Sequence, residues 1–225
     1  MKQNFPSLDS SLKLFSVINN LAGIIRYSRD YMQCPESVLE HTGWVASWCF
    51  FISLQYEEQF NKKLNLEKLL TSAIMHDYDE VGTGDIPKIT KYASTEIREA
   101  LAVIERKSIH WIRKNMLELE REDLEIIWRE AKDKSMEGTI LKLADIAAVV
   151  YQVWNEIIMH NNISFVRVAK ELLFIKEFDL GHLSFDNTMF LKNIINSFLE
   201  IIAQAINHAS GKSHPLPLSY EMPSF

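Results

Sequence analysis

Apolar residues recur every three or four positions through most of this chain, and glycine and proline, which interrupt such a rhythm, number only 7 and 6 in 225 residues. That spacing commits a chain to helices, because side chains at i, i+3, i+4 and i+7 share one face. Leu66, Leu69, Leu70, Ala73 and His76 fall on one such face, and Val38, His41, Val45, Trp48, Cys49 and Ile52 on another. No segment shows the period-two alternation of a half-buried strand. With 47% hydrophobic residues the chain can bury a full core. The expectation is an all-α, single-domain bundle over residues 1–210, with a proline-bearing tail over 211–225 laid against the surface.

The punctuation places the elements. A first helix is expected from Ser10 to Ile25, with Leu12, Phe15, Ile18 and Leu21 as its stripe. Arg26 to Ser37 reads as a loop, with Ser37 as N-cap of the His41 helix. Asn61 to Asn65 turns the chain into the helix that ends at His76, and Gly82, Gly84 and Pro87 make the Asp85 segment a loop. Further helices are expected over Thr95–Met116, Asp123–Lys132, Met136–His160, Phe165–Phe178 and Asn187–Ala209.

Composition narrows the function. A net charge of −6 argues against a nucleic-acid polymer as partner, since phosphate backbones select basic faces. A small phosphate ligand stays open, because a few local cations suffice to hold it. Two cysteines cannot support a disulfide framework. No charge-free stretch of about 18 apolar residues appears, and no apolar leader follows Met1. A cytoplasmic protein with no membrane partner is the expectation.

Against this background His76-Asp77 stands out, because imidazole and carboxylate are both ligands of choice for a divalent metal. His41 lies upstream and Asp145 downstream, each inside an apolar stripe. Taken singly, each has a plainer explanation: His41 as a buried histidine bonded to a carbonyl, Asp145 as the partner of Lys142 one turn earlier. Asp77 ends an apolar helix, where the dipole disfavours negative charge. One bound cation would relieve all of these anomalies together.

The order His, His-Asp, Asp resembles the HD-domain metal-dependent phosphohydrolases. More specifically, Glu40-His41-Thr42, the run from His76-Asp77 through Glu80 to Gly84-Asp85-Ile86-Pro87, and Lys142-Leu143-Ala144-Asp145 resemble the 5′-deoxynucleotidase (YfbR-like) branch over residues 10 to 160. The resemblance implies an HD fold, one divalent metal on His41, His76, Asp77 and Asp145, a catalytic pair in Glu80 and Asp85, and a homodimer, which the apolar helix Asn187–Ala209 and the aromatic surplus also suggest. Mixed nitrogen and oxygen ligands accept cobalt, manganese, zinc, iron or nickel. A second metal would need more ligands between the His-Asp pair and Asp145, and His110 is the lone histidine there.

The loop Arg26-Tyr27-Ser28-Arg29 offers two guanidinium groups whose fork suits a phosphate. Members of the branch carry an Arg-Trp pair further upstream, where this chain reads Asn19-Asn20-Leu21-Ala22. Lys88 and Lys91 are alternative cations expected at the surface. The resulting expectation is release of the 5′-phosphate from (deoxy)nucleoside monophosphates by metal-activated water. The rivals are a (deoxy)nucleoside triphosphate phosphohydrolase on the same scaffold and a non-catalytic metal- or nucleotide-binding module.

Overall fold

The computed structural model describes residues 8–115, 123–131 and 133–212, and among them no strand occurs. The helices are α1 (Leu8–Gly23), α2 (Val38–Phe60), α3 (Leu66–Met75), the short α4 (Glu80–Thr83) and α5 (Lys88–Lys91), α6 (Thr95–Asn115), α7 (Asp123–Glu130), α8 (Met136–Trp154), α9 (Val166–Glu171) and α10 (Phe185–Ala209). Most of the tail expected over 211–225 lies outside the described residues, as does Met116.

Helix α8 is the axis of the bundle. It is apolar almost all round, and Ile140, Leu143, Ala144, Ala147, Ala148 and Val153 are wholly buried, as an interior helix requires. Around it pack Val45, Cys49 and Ile52 from α2, Leu69 and Ala73 from α3, and Leu191, Phe198 and Ile202 from α10. Each such aliphatic side chain contributes about 1.5–3 kcal/mol by leaving water. A smaller cluster joins Val17, Met75, Ile109, Ile112, Leu124 and Trp128. It fixes the far end of α3 against α1, α6 and α7.

Several expected boundaries shift. α1 spans Leu8–Gly23, and its buried positions are Val17 and Leu21, while Leu12 and Phe15 face outward. The expected helix Met136–His160 gives way to a π turn at Asn155–Met159. Phe165–Phe178 resolves into a 3-10 turn, α9 and a second 3-10 turn, Leu172–Glu177. α10 starts at Phe185 and is, among the described residues, the helix long and apolar enough to cross a membrane. Its residues Leu191, Ile195, Phe198 and Ile202 nevertheless pack in the core. Exposed large apolar side chains include Phe185 and Met189 on α10 itself, Phe51 and Leu54 on α2 and Trp111 on α6.

Candidate metal centre and substrate pocket

Four local structures deliver the predicted residues to one place. The loop between α1 and α2 is pinned at its neck: the N–H of Arg26 donates to the Glu36 carbonyl at 2.9 Å and that of Val38 to the Ile24 carbonyl at 2.9 Å. Ser37 then caps α2 in a capping box, its hydroxyl accepting from the Glu40 N–H at 3.2 Å while Glu40 Oε2 accepts from the Ser37 N–H at 2.8 Å. Glu40 is thereby committed to the helix start, and His41 is set on the first turn facing inward, fully buried. α3 stops at Met75, so Glu80 does not continue the His76 helix as a continuous turn would place it. It opens α4 after a four-residue turn. α8 supplies Asp145 from its middle.

His41 Nε2 lies 3.0 Å from Asp145 Oδ1 and 3.8 Å from Asp77 Oδ2, and His76 Nε2 lies 3.1 Å from Asp77 Oδ2. The ligand atoms of His41, His76 and Asp77 all fall within 4.8 Å of one another. His76 Nδ1 donates to the Ala73 carbonyl at 2.7 Å, which turns Nε2 toward Asp77. That buried Nε2 has no hydrogen-bond partner. Two imidazoles and two carboxylates, with a buried nitrogen unsatisfied at their centre, fit a divalent cation of intermediate softness. Asp145 pairs with His41 rather than Lys142, whose side chain is exposed. Its own side chain keeps 43% exposure because it opens into a pocket. His110 lies at the surface with Glu125, away from the centre.

The electrostatics are those of a crowded, partly dry site. Burial and the charge of Arg26 push His41 down to about 4. Burial also works against charge on His76, but Asp77 and Asp145 carry it up to about 9. Burial disfavours the charged forms of Asp77 and Asp145, yet the histidines hold both below the ordinary carboxylate range. Glu80 moves the other way, up to about 10, through burial and then the negative charges of Asp77 and Asp85. Its Oε2 is buried without a hydrogen-bond partner.

A pocket of about 570 Å³ opens over Asp145, lined on one side by Arg26, Tyr27, Arg29 and Asp85 and on the other by Ile146, Val149, Val168, Leu172 and Phe174. Asn19 and Asn20 stay on the exposed face of α1, and the arginine–aromatic pair reaching this pocket is Arg26-Tyr27. Tyr27 has φ +53°, the left-handed region that bulky residues avoid. Asp85 Oδ2 accepts its N–H at 3.0 Å and its ring meets Phe165 edge-on at 5.4 Å, contacts that hold the conformation. Burial opposes the Arg26 charge, but Tyr27, Asp145, Asp77 and Glu36 keep it firmly protonated. Arg29 is exposed at the mouth.

Sequence reasoning missed Glu36 and Arg167. Glu36 is buried beside Arg26 and His41, and its burial pushes its carboxyl up to about 7 against the pull of Arg26. Arg167 reaches the mouth from α9 and pairs with Asp30 and Glu171. Lys88, read as a surface lysine, is exposed but lies 4.5 Å from the Phe174 ring centroid on the pocket wall.

Residues 13–198 match the YfbR-like 5′-deoxynucleotidase family. The chain belongs to that family. Among curated relatives of the YfbR-like family, a 5′-deoxynucleotidase of Vibrio parahaemolyticus is 32% identical over 111 residues, covering 49% of this chain and 57% of that protein. A 5′-deoxynucleotidase of Erwinia tasmaniensis is 29% identical over 127 residues, covering 56% and 64%. The alignments therefore span less than two thirds of either relative. Over the fold, a crystal structure of an HD-domain phosphohydrolase from Listeria innocua superposes with a TM-score of 0.68 at 28% identity, covering 90% of this chain and 99% of that one. A Pyrococcus horikoshii protein shares the fold at a TM-score of 0.64 and 21% identity, covering 85% and 99%.

Proposed function

We propose that this YfbR-like chain is a metal-dependent phosphomonoesterase that releases the 5′-phosphate of (deoxy)nucleoside monophosphates. The observation that carries the reading is that His41, His76 and Asp77 cluster together, and that His41 touches Asp145, which lines the same pocket as Arg26. These four residues would hold one divalent ion, from among manganese, iron, cobalt, nickel and zinc. When bound, such an ion lowers the pKa of water and neutralises charge gathering on a phosphoryl group.

The chain's own groups do the rest. Arg26, always charged and braced by Glu36 at 3.5 Å, presents a fork that matches phosphate oxygens. Arg29 adds charge at the entrance. Glu80 holds a proton between Asp77 and Asp85 and is the group to deliver it to the leaving O5′. Asp85, anchored on the Tyr27 N–H, orients what lies between it and Arg26. The apolar wall from Ile146 to Phe174 takes the sugar and base, and the pocket volume suits one nucleotide.

The concentration of fixed charge favours a monophosphate over a triphosphate. Of the cations at the mouth, Arg167 is already paired with Asp30 and Glu171. A phosphate-release screen over ribo- and deoxyribonucleotides with several divalent metals tests the reading. Inorganic phosphate from monophosphates supports it; tripolyphosphate from triphosphates would replace it with the rival, and no turnover with any pair would leave only a binding module. The cytoplasmic setting and the homodimer belong to the same proposal, and sedimentation of the purified chain checks the latter.

A further inference from the structure

We infer that Glu36 is a positioning residue that joins the two halves of the site, holding His41 for the cation with one carboxylate and Arg26 for the phosphate with the same group. The inference rests on the metal reading given above and adds to it a residue outside the ligand set.

The two histidines are not equally equipped. A histidine that gives Nε2 to a cation must carry its proton on Nδ1, and that N–H needs an acceptor fixed in place. His76 has one, the Ala73 carbonyl at 2.7 Å. His41 is fully buried, and its Nδ1 has no hydrogen-bond partner. The charged group facing that nitrogen is Glu36, with Oε2 at 3.8 Å. Glu36 is itself 4% exposed, and its Oε1 is also buried and unpartnered. The unsatisfied His41 Nδ1 thus faces Oε2 of a buried carboxylate whose other oxygen is also unsatisfied, and an approach of roughly 1 Å would bring nitrogen and Oε2 to an ordinary hydrogen bond.

The backbone explains why this carboxylate is reliable. Glu36 sits at the neck of the loop, its carbonyl holding the Arg26 N–H, and immediately before the N-cap of α2. The helix terminus favours an anion there. Its Oε2 also lies 3.5 Å from Arg26 Nη1. One side chain on a rigid segment therefore sets both the imidazole and the guanidinium, so that metal affinity and anion affinity are linked through it.

The two substitutions Glu36→Gln and Glu36→Ala separate these roles. Glutamine keeps an oxygen for the His41 N–H but loses the charge facing Arg26, and alanine loses both. Metal-stripped full-length chain is titrated with Co2+ against a competing chelator, with the visible Co2+ spectrum recorded, and inorganic phosphate binding is measured separately. Glu36→Gln is expected to hold Co2+ within about threefold of wild type, and Glu36→Ala about 10–100-fold more weakly with an altered spectrum. Both are expected to bind phosphate more weakly. If Glu36→Ala does not fold, imidazole nitrogen NMR of the Co2+-free, Zn2+-loaded wild type and Glu36→Gln still decides: the His41 Nδ1–H resonance must be present and must move in the variant. Wild-type affinity and spectrum in a folded Glu36→Ala, or an unmoved resonance in Glu36→Gln, overturns the inference alone. Failure of the wild type to take up any ion overturns the metal reading and this inference with it.

Discussion

Glu80 and Tyr27 show how much a single residue can carry here. Glu80 sits half-buried at the start of α4 with an unpartnered oxygen, beside two carboxylates that discourage its ionisation. Ordinary surface acidity has no need of that arrangement, whereas a proton donor does. Glu80→Gln keeps the shape and removes the exchangeable proton, so phosphate release is expected to fall about 10²–10⁴-fold with metal content and melting temperature held. Unchanged turnover across a nucleotide panel would remove Glu80 from the mechanism. Tyr27 makes the complementary point about legibility. His41, His76, Asp77 and Asp145 could be picked from the sequence because each places an ionisable group in or beside an apolar run. Tyr27 and Glu36 gave no such signal, since a left-handed tyrosine and a carboxylate facing an imidazole exist only once the loop is folded against α2 and the Asp85 segment.

At the scale of elements, the site depends on how α3, α4, α6 and α8 are held relative to one another. Gly82 in α4 lies against α6 so closely that an added Cβ would stand 2.0 Å from Ser108 Oγ and 3.0 Å from Ser108 Cβ. The hydroxyl can rotate away, but the Cβ cannot. Gly82→Ala is therefore expected to cost about 1–3 kcal/mol in urea unfolding and, because α4 carries Glu80, to lower turnover more than substrate affinity. A wild-type unfolding midpoint would show that α4 has room to move. A second tie joins the helices bearing His76 and Asp145. Lys68 of α3 reaches Asp133 Oδ2 at 2.6 Å, and Asp133 Oδ1 accepts at 2.9 Å from the N–H of Ser135, the residue whose hydroxyl caps α8. Burial tends to raise Asp133, but Lys68 and Ser135 lower it, and Asp133 in turn raises Lys68. A lowered carboxylate contributes above its unfolded pKa and loses that contribution as pH falls through the folded one; a raised lysine loses its share as pH climbs through the folded value. The pair thus stabilises fully between about pH 4 and 10, by at most about 1 kcal/mol given its partial exposure. The stability difference between wild type and Asp133→Asn should be present at pH 7 and shrink toward pH 2, and a constant difference would contradict the pairing. Periodicity made α2, α3, α6 and α8 legible, with the end of α3 at the His-Asp pair, but the short helix that Glu80 opens and the π turn after α8 were not, because tertiary partners hold them: the Trp128 indole N–H donates to Asp79, and the Gln33 and Cys34 N–H groups donate to Glu156.

At the scale of the whole molecule, the candidate ligands come from α2, the end of α3 and the middle of α8, segments joined by long stretches of chain and packed in one core. Without a cation, that core must tolerate a buried His76 Nε2 with no hydrogen bond and two carboxylates crowded against two imidazoles. A cation bound there would satisfy those groups only in the folded state, where α2, α3 and α8 are brought together, and would act as a cross-link across loops whose closure is entropically costly. Binding to the native state alone stabilises by about 2.7 kcal/mol at a hundredfold excess over Kd. For a domain of this size each kcal/mol corresponds to roughly 2–4 °C, so melting is expected to rise by about 5–10 °C when chelator-treated protein receives Mn2+, Co2+ or Ni2+. The rise should vanish in His76→Ala and Asp145→Asn and persist in Lys142→Ala, whose side chain lies outside the centre. Because the measurement needs no substrate, it separates the metal from the reaction: an absent rise with every ion tried would dissolve the tetrad, whereas a rise retained in Asp145→Asn would confine the ion to His41, His76 and Asp77, the three whose ligand atoms already lie within 4.8 Å of one another.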